Sequence, residues 1–221
     1  ALIYENIDSN LCEILTYQEL DDYISQASNF LLSQNLPKQS KIMLSIPNSL
    51  VFIIFLFACF RTGLVAVTVN PNLSERELQH QYTKSNSQIL ISYTDISNFK
   101  NPIIKLKSIK LSDLSVFLKP YDTKYKGEII HPDYEATILF TSGTTNLPKG
   151  VISTNESYLT KICSVANHLE MTENDRHFLT LPIFHTNGQY SLLAILSVGG
   201  SAVITSRFSK SKFMNLALKH N

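Results

Sequence analysis

The chain has 221 residues, 44% of them hydrophobic, with 19 Lys and Arg against 18 Asp and Glu, a formal net charge of +1. That length allows one to two domains and a core that needs no disulfide or metal staple, and the composition excludes a disordered chain. The charge balance excludes a nucleic-acid clamp and gives no support to electrostatic adhesion to anionic lipid.

In chain order, the stretch through Gln39 reads as an exposed amphipathic helix, with Tyr17, Leu20, Ile24, Ala27 and Leu31 recurring at three- and four-residue steps. Lys41–Ile46 is a strand ended by Pro47. The longest apolar run, Leu50–Phe60, is too short to span a membrane and reads as a helix buried on all sides, with Asn48 or Ser49 as its cap and Gly63 after its end. Leu64–Val69 then completes a strand–helix–strand unit, which implies a parallel pair. Ser74 and Glu77 have capping-box spacing before a helix to about Ser85, and Gln88–Ser92 is the next strand. Lys100–Lys126 holds seven lysines against Asp113 and Asp122 and reads as a solvated connection, with a basic anion-binding face as the alternative. Strands at Ala136–Phe140 and Val151–Thr154 follow, flanking a loop. Next come a helix from Asn155 to about Glu170, a strand at Arg176–Leu181, an apolar helix at Gln189–Val198 and a strand at Ala202–Thr205. Ser209 opens a final helix to Asn221. Alternating strands and helices indicate an α/β fold: a parallel sheet covered by helices, with part of a second sheet layer carrying the loop hairpin.

Cys12, Cys59 and Cys163 are far apart and odd in number, with no C-x-x-C pair or histidine cluster at metal spacing. They read as indifferent thiols in a reducing compartment, so a cytoplasmic location is expected. No signal peptide is visible in the residues given.

The chemistry concentrates in Thr141-Ser142-Gly143-Thr144-Thr145-Asn146-Leu147-Pro148-Lys149-Gly150, with four hydroxyls, two glycines and one lysine. Backbone amides, hydroxyl donors and one fixed cation suit a triphosphate or pyrophosphate, and small residues permit close approach. This is not the common P-loop: Pro148 precedes Lys149, and Gly150 stands where Ser or Thr would follow. An ordinary Ser/Gly-rich turn is the bland alternative. A second segment is Leu181-Pro182-Ile183-Phe184-His185-Thr186-Asn187-Gly188, whose histidine on its own would most often be a packed or capping residue. Ser142 and His185 also raise a serine hydrolase, but no G-x-S-x-G elbow is present.

Thr141–Gly150 closely resembles the phosphate loop T-S-G-T-T-G-x-P-K-G of the adenylate-forming, or AMP-binding, superfamily, departing from it only at Asn146. Asn tolerates left-handed backbone better than other side chains, so the turn is expected to survive. The second segment resembles that family's P-x-F-H-x-x-G motif, and Asn70–Leu78 looks like a further family segment. The resemblance implies the N-terminal domain core of the acyl-CoA synthetase-like fold. It also implies an ATP-dependent, AMP-forming ligase, with ATP, Mg²⁺ and coenzyme A as cofactors. Such an enzyme activates a carboxylate as its adenylate and passes it to the thiol, with a lean to short- or medium-chain acyl substrates and fatty acid metabolism. By motif position, Thr141, Ser142, Gly143, Thr144, Thr145 and Lys149 would hold the phosphates, with Thr141 also at the Mg²⁺. Phe184, His185, Asn187 and Gly188 would border the acyl pocket, and no residue is assigned proton transfer. A peptide-synthetase adenylation domain is the alternative within the family, and a binding module keeping a relic loop is the alternative outside it. The expected partners are a small carboxylic acid, ATP and coenzyme A, with no nucleic acid, no transmembrane segment and a possible homodimer. Residues 1–221 are expected to be an incomplete N-terminal AMP-binding domain, inactive alone, lacking the adenine and ribose contacts and the small C-terminal domain. The final helix, Lys210–Asn221, is therefore expected to be poorly supported.

Overall fold

The computed structural model describes all residues except 10, 95, 97, 98, 128, 142–147 and 221. The elements in chain order are β1 (Leu2–Glu5), β2 (Cys12–Leu15), α1 (Tyr17–Leu32), β3 (Lys41–Ser45), α2 (Leu50–Thr62), β4 (Val65–Thr68), α3 (Glu75–Ser85), β5 (Ser87–Ser92) and β6 (Ile103–Lys105). They continue with α4 (Leu111–Leu118), β7 (Glu135–Thr141), β8 (Lys149–Thr154), α5 (Asn155–His168), β9 (Arg176–Leu179), α6 (Thr186–Ser197), β10 (Ser201–Thr205) and α7 (Lys210–Lys219).

Two sheets carry the fold. A six-stranded sheet has the order β6-β5-β3-β4-β7-β8, and a four-stranded sheet has the order β2-β1-β10-β9. The large sheet is parallel except for the β7–β8 hairpin, and the small one is parallel except for β1–β2.

α2 lies at the centre. Leu50 to Leu56 are all fully buried, which a helix apolar on every face requires. Its core joins Ile42, Leu44 and Ala66 of the large sheet to Leu2, Tyr4, Ala202 and Ile204 of the small one. Ser49 accepts a hydrogen bond from the Phe52 amide, and Gly63 closes the helix in left-handed geometry at φ 70°. α3 covers the opposite face of the large sheet, where Leu78 and Tyr82 pack with Met43, Val65, Val67 and Leu90. The Ser74–Glu77 capping box is formed at its start.

Four expectations are corrected. Before α1 the chain forms β1 and β2, a hairpin whose first strand finds a second partner remote in sequence, β10. α1 itself is amphipathic as its periodicity predicts, with Leu20, Ile24, Ala27 and Leu31 buried and only Tyr17 of that set open. The lysine-rich stretch is not a plain connection. It holds β6 and α4, and Leu106, Leu114 and Leu118 enter the core. The loop hairpin belongs to the edge of the large sheet, while the second layer is the sheet made from both ends of the chain. At α5 the cap is Thr154, whose hydroxyl accepts from the Ser157 amide, and Asn155 is the first helical residue. α7 buries none of its side chains, in line with a poorly supported helix. It is held by Phe213 against Phe178 and by Lys219 and His220 at Glu5.

Among the described residues no helix is long and apolar enough to cross a membrane. The cysteines are free, with Cys59 buried and Cys12 and Cys163 exposed. Burial pushes the Cys59 thiol far up, so it stays protonated and inert.

Candidate functional site

The topology selects one place on the large sheet. β3 sits between β4 and β5, so the chain leaves β3 toward one side and returns from β4 to the other. The connecting helices α2 and α3 therefore lie on opposite faces. In open parallel sheets this switch point leaves a crevice at the carboxyl ends of the strands, where ligands bind. Asn48 follows β3 there, Thr68 ends β4, and β7 lies next to β4, with Thr68 paired to Leu139.

β7 carries the phosphate-loop candidate. Residues 142–147 include Ser142, Gly143, Thr144 and Thr145, which lie outside the described residues. The two ends of the loop are described: Thr141 and Lys149 are directly paired across the antiparallel hairpin. Paired residues project to the same face, so the Thr141 hydroxyl and the Lys149 ammonium share one side of the hairpin mouth, and both are exposed. Alternation along β7 gives Thr141 the face of Thr137 and Leu139, and registry extends that face to Thr68. This is the face toward α5 and α6.

The second segment reaches the same face from the other sheet. After β9 the chain turns through Pro182–Phe184 into α6. Asn48 fixes this turn: its side-chain amide donates to the Leu181 carbonyl at 3.0 Å and the Thr205 carbonyl at 3.1 Å, while its oxygen accepts from the Ile183 amide at 2.9 Å. The Thr68 hydroxyl donates to the Phe184 carbonyl at 3.0 Å. Gly188 is buried, and a Cβ there would stand 2.4 Å from the Pro182 carbonyl oxygen, so only glycine lets the first turn of α6 rest on the preceding turn. Its requirement is close backbone approach. His185 is neither packed in the core nor capping with its side chain: it is exposed and leans on Phe184, ring centroids 4.7 Å apart. Asn187 is also exposed at the start of α6.

The structure thus ties the Phe184 carbonyl to Thr68 at the carboxyl end of β4, the neighbour of β7, whose last residue Thr141 pairs with Lys149, and His185 and Asn187 follow Phe184 at the start of α6. Sequence reasoning missed Asn48 as the clasp between sheets, and missed Thr68 and Gln189. Asn48 was visible as a polar residue between an apolar strand and an apolar helix, but such a residue signals a cap, and its actual acceptors are more than a hundred residues away. Among the described residues no group of three or more His, Cys, Asp or Glu is placed to hold a metal ion.

Over all 221 residues the chain is 29% identical to a 2-succinylbenzoate–CoA ligase of Bacillus subtilis (strain 168), covering 100% of this chain and 43% of that protein. Among solved structures it superposes on a long-chain-fatty-acid-CoA ligase from Archaeoglobus fulgidus with a TM-score of 0.88 at 20% identity, covering 100% of this chain and 46% of the other. The inhibitor-bound N-terminal domain of FACL13 from Mycobacterium tuberculosis gives a TM-score of 0.85 at 22% identity, with coverage of 98% and 56%. The chain spans less than half the length of the curated ligase it matches. The AMP-binding family model, described as AMP-binding enzyme, matches residues 1–221. The chain belongs to the AMP-binding enzyme family.

Proposed function

We propose that this chain supplies the phosphate side and the acyl side of an ATP-dependent, AMP-forming ligase that activates a carboxylate as its adenylate and transfers it to coenzyme A. The observation that supports it is the pairing of Thr141 with Lys149 at the hairpin mouth, on the sheet face that also receives Phe184–Gly188. Joining a carboxylate to ATP requires two anions to be held together while charge builds on the leaving pyrophosphate. In this reading Ser142, Gly143, Thr144 and Thr145 bring amides and hydroxyls to the β- and γ-phosphates, and Lys149 brings a point charge. The start of α6 faces the carboxylate with the positive end of its dipole. His185 and Asn187 border the acyl group, and Gly188 permits the turn that places them.

Mg²⁺ neutralises phosphate charge when bound. It is commonly held by substrate oxygens and water with one or two protein ligands, so the Thr141 hydroxyl beside the loop and the lack of a carboxylate cage among the described residues fit it. A short or medium acyl group is part of the proposal, as is transfer to coenzyme A. The substrates in the relatives' names, 2-succinylbenzoate and long-chain fatty acids, set the alternatives.

The test is calorimetric titration of the chain with Mg-ATP. Wild type is expected to bind, and Lys149→Ala is expected to bind about tenfold more weakly or worse, as loss of a charge-assisted contact implies. Equal affinity would remove the hairpin from the account. Titrating octanoate, palmitate and 2-succinylbenzoate into the ATP complex then tests the acyl group: preference for either of the last two would overturn the short- or medium-chain assignment.

A further inference from the structure

Beneath the Phe184–Asn187 stretch, where His185 and Asn187 are exposed, lies a line of buried polar side chains from four different elements: Thr137 of β7, Tyr158 of α5, Gln189 of α6 and Thr68 of β4. The Tyr158 hydroxyl donates to Gln189 Oε1. Gln189 Nε2 donates to Thr68 Oγ1 at 3.2 Å, and Thr68 Oγ1 donates to the Phe184 carbonyl at 3.0 Å. The Thr137 hydroxyl, fully buried and otherwise without a partner, faces the Tyr158 phenol.

Proton counting gives this line one direction. A phenol has a single proton, and once it is given to Gln189 the oxygen can only accept, which suits the Thr137 hydroxyl. The Phe184 carbonyl can only accept, so Thr68 gives it its one proton and must itself accept from the Gln189 NH₂, which leaves the Gln189 carbonyl facing the phenol. Burial, with Tyr190 close by, raises the Tyr158 pKa well above the ordinary phenol range, so the donor stays protonated. A buried chain of hydrogen bonds of this kind specifies one arrangement, since any slip strands a buried polar group.

We propose that Gln189 is a positioning residue: with Tyr158 and Thr68 it forms a buried strut that holds the Phe184 carbonyl, and so the His185 and Asn187 side chains, in register with β7, the strand that leads into residues 142–147. The strut ties the acyl side of the crevice to the phosphate side through the protein interior. Its consequence for ligation rests on the function proposed above, while its structural effect does not.

Amide hydrogen exchange on the 221-residue chain without ligand tests it. Tyr158→Phe removes the phenol, which bonds Gln189 rather than the turn itself. It is expected to speed exchange of the His185–Gly188 amides about tenfold or more while the β3 and β5 amides keep their protection. Thr68→Val is expected to do the same, and Thr68→Ser, which keeps the hydroxyl, to restore protection. No change at His185–Gly188 in either variant would overturn the strut, and so would a uniform rise that includes β3 and β5. Should Tyr158→Phe not fold, Thr68→Val judged against Thr68→Ser carries the test. Absence of ATP binding by wild type would remove the functional reading and leave the exchange result standing. Normal ATP binding with unaltered exchange would remove the strut and leave the reading.

Discussion

The six-stranded and four-stranded sheets differ in how far apart their partners lie in the sequence. In the large sheet, β3 and β4 are joined by one helix, and the apolar runs announce each step. In the small sheet, β1 pairs with β10 across about 200 residues, Leu2 opposite Ala202. Closing so long a loop costs entropy before any contact rewards it. The small sheet therefore depends on the large one being present, and it is α2, apolar on every face, that provides the surface both bury. A site between the two sheets inherits both properties: one wall comes from local units, and the other is placed by long-range closure.

The largest expected effect tests that shared helix. Phe52 is fully buried, and Phe52→Ala should cost about 3–5 kcal/mol and lower both sheets' stability in one cooperative transition. A melt in which the small sheet survives would break the comparison. Asn48→Ala removes three hydrogen bonds at the junction of the sheets and should cost about 2–3 kcal/mol. Exchange protection should fall in β9, β10 and the Pro182–His185 turn and persist in β5. Loss confined to β3 would show that Asn48 serves its own strand alone.

A smaller effect belongs to the locally encoded region. Ser74→Ala should cost about 1 kcal/mol by opening the capping box of α3, seen as faster exchange at its first turn with the small sheet unaffected. The smallest concerns the long-range region. Glu5 on β1 is buried, which by itself would raise its pKa, but Lys219, His220 and Cys12 hydrogen-bond its carboxylate and the net shift is downward. Its contribution is therefore complete above the ordinary value of 4.5 and is lost as the pH falls through the lower folded value. Trypsin cleavage within α7 should quicken on that descent, and Glu5→Gln should already show quick cleavage at neutral pH. Cleavage of α7 that ignores both changes would show that its aromatic contacts alone hold it.

Much of the large sheet was legible because its signals are local. Period and caps marked α2 and α3, and a β-branched run marked β4. The second sheet was missed in part because β1 and β2 are four residues each, too short for alternation to stand out, and both read as the approach to α1. β6 and α4 were hidden by the lysines around them, Lys105 at the end of β6 and Lys110 and Lys119 at the two ends of α4, while Leu106, Leu114 and Leu118 carry the burial. At the candidate site, the residues that the family resemblance assigns to the phosphates and the acyl pocket stood out as motifs. Those that place them did not, since Asn48, Thr68, Tyr158 and Gln189 act through partners remote in the chain and have no spacing to recognise.

The sequence by itself determined the family, the strand–helix alternation, the buried central helix, and the pairing of a hydroxyl- and glycine-rich loop with a Pro-Ile-Phe-His segment, because each depends on residues close together. Only the tertiary structure decided that both ends of the chain make one sheet and that the loop hairpin edges the other. It also set Thr141 opposite Lys149 at the hairpin mouth and tied the Phe184 carbonyl to Thr68 at the end of the neighbouring strand. Those outcomes rest on which distant apolar surfaces and buried polar groups find each other, and nothing in a local stretch of sequence records that.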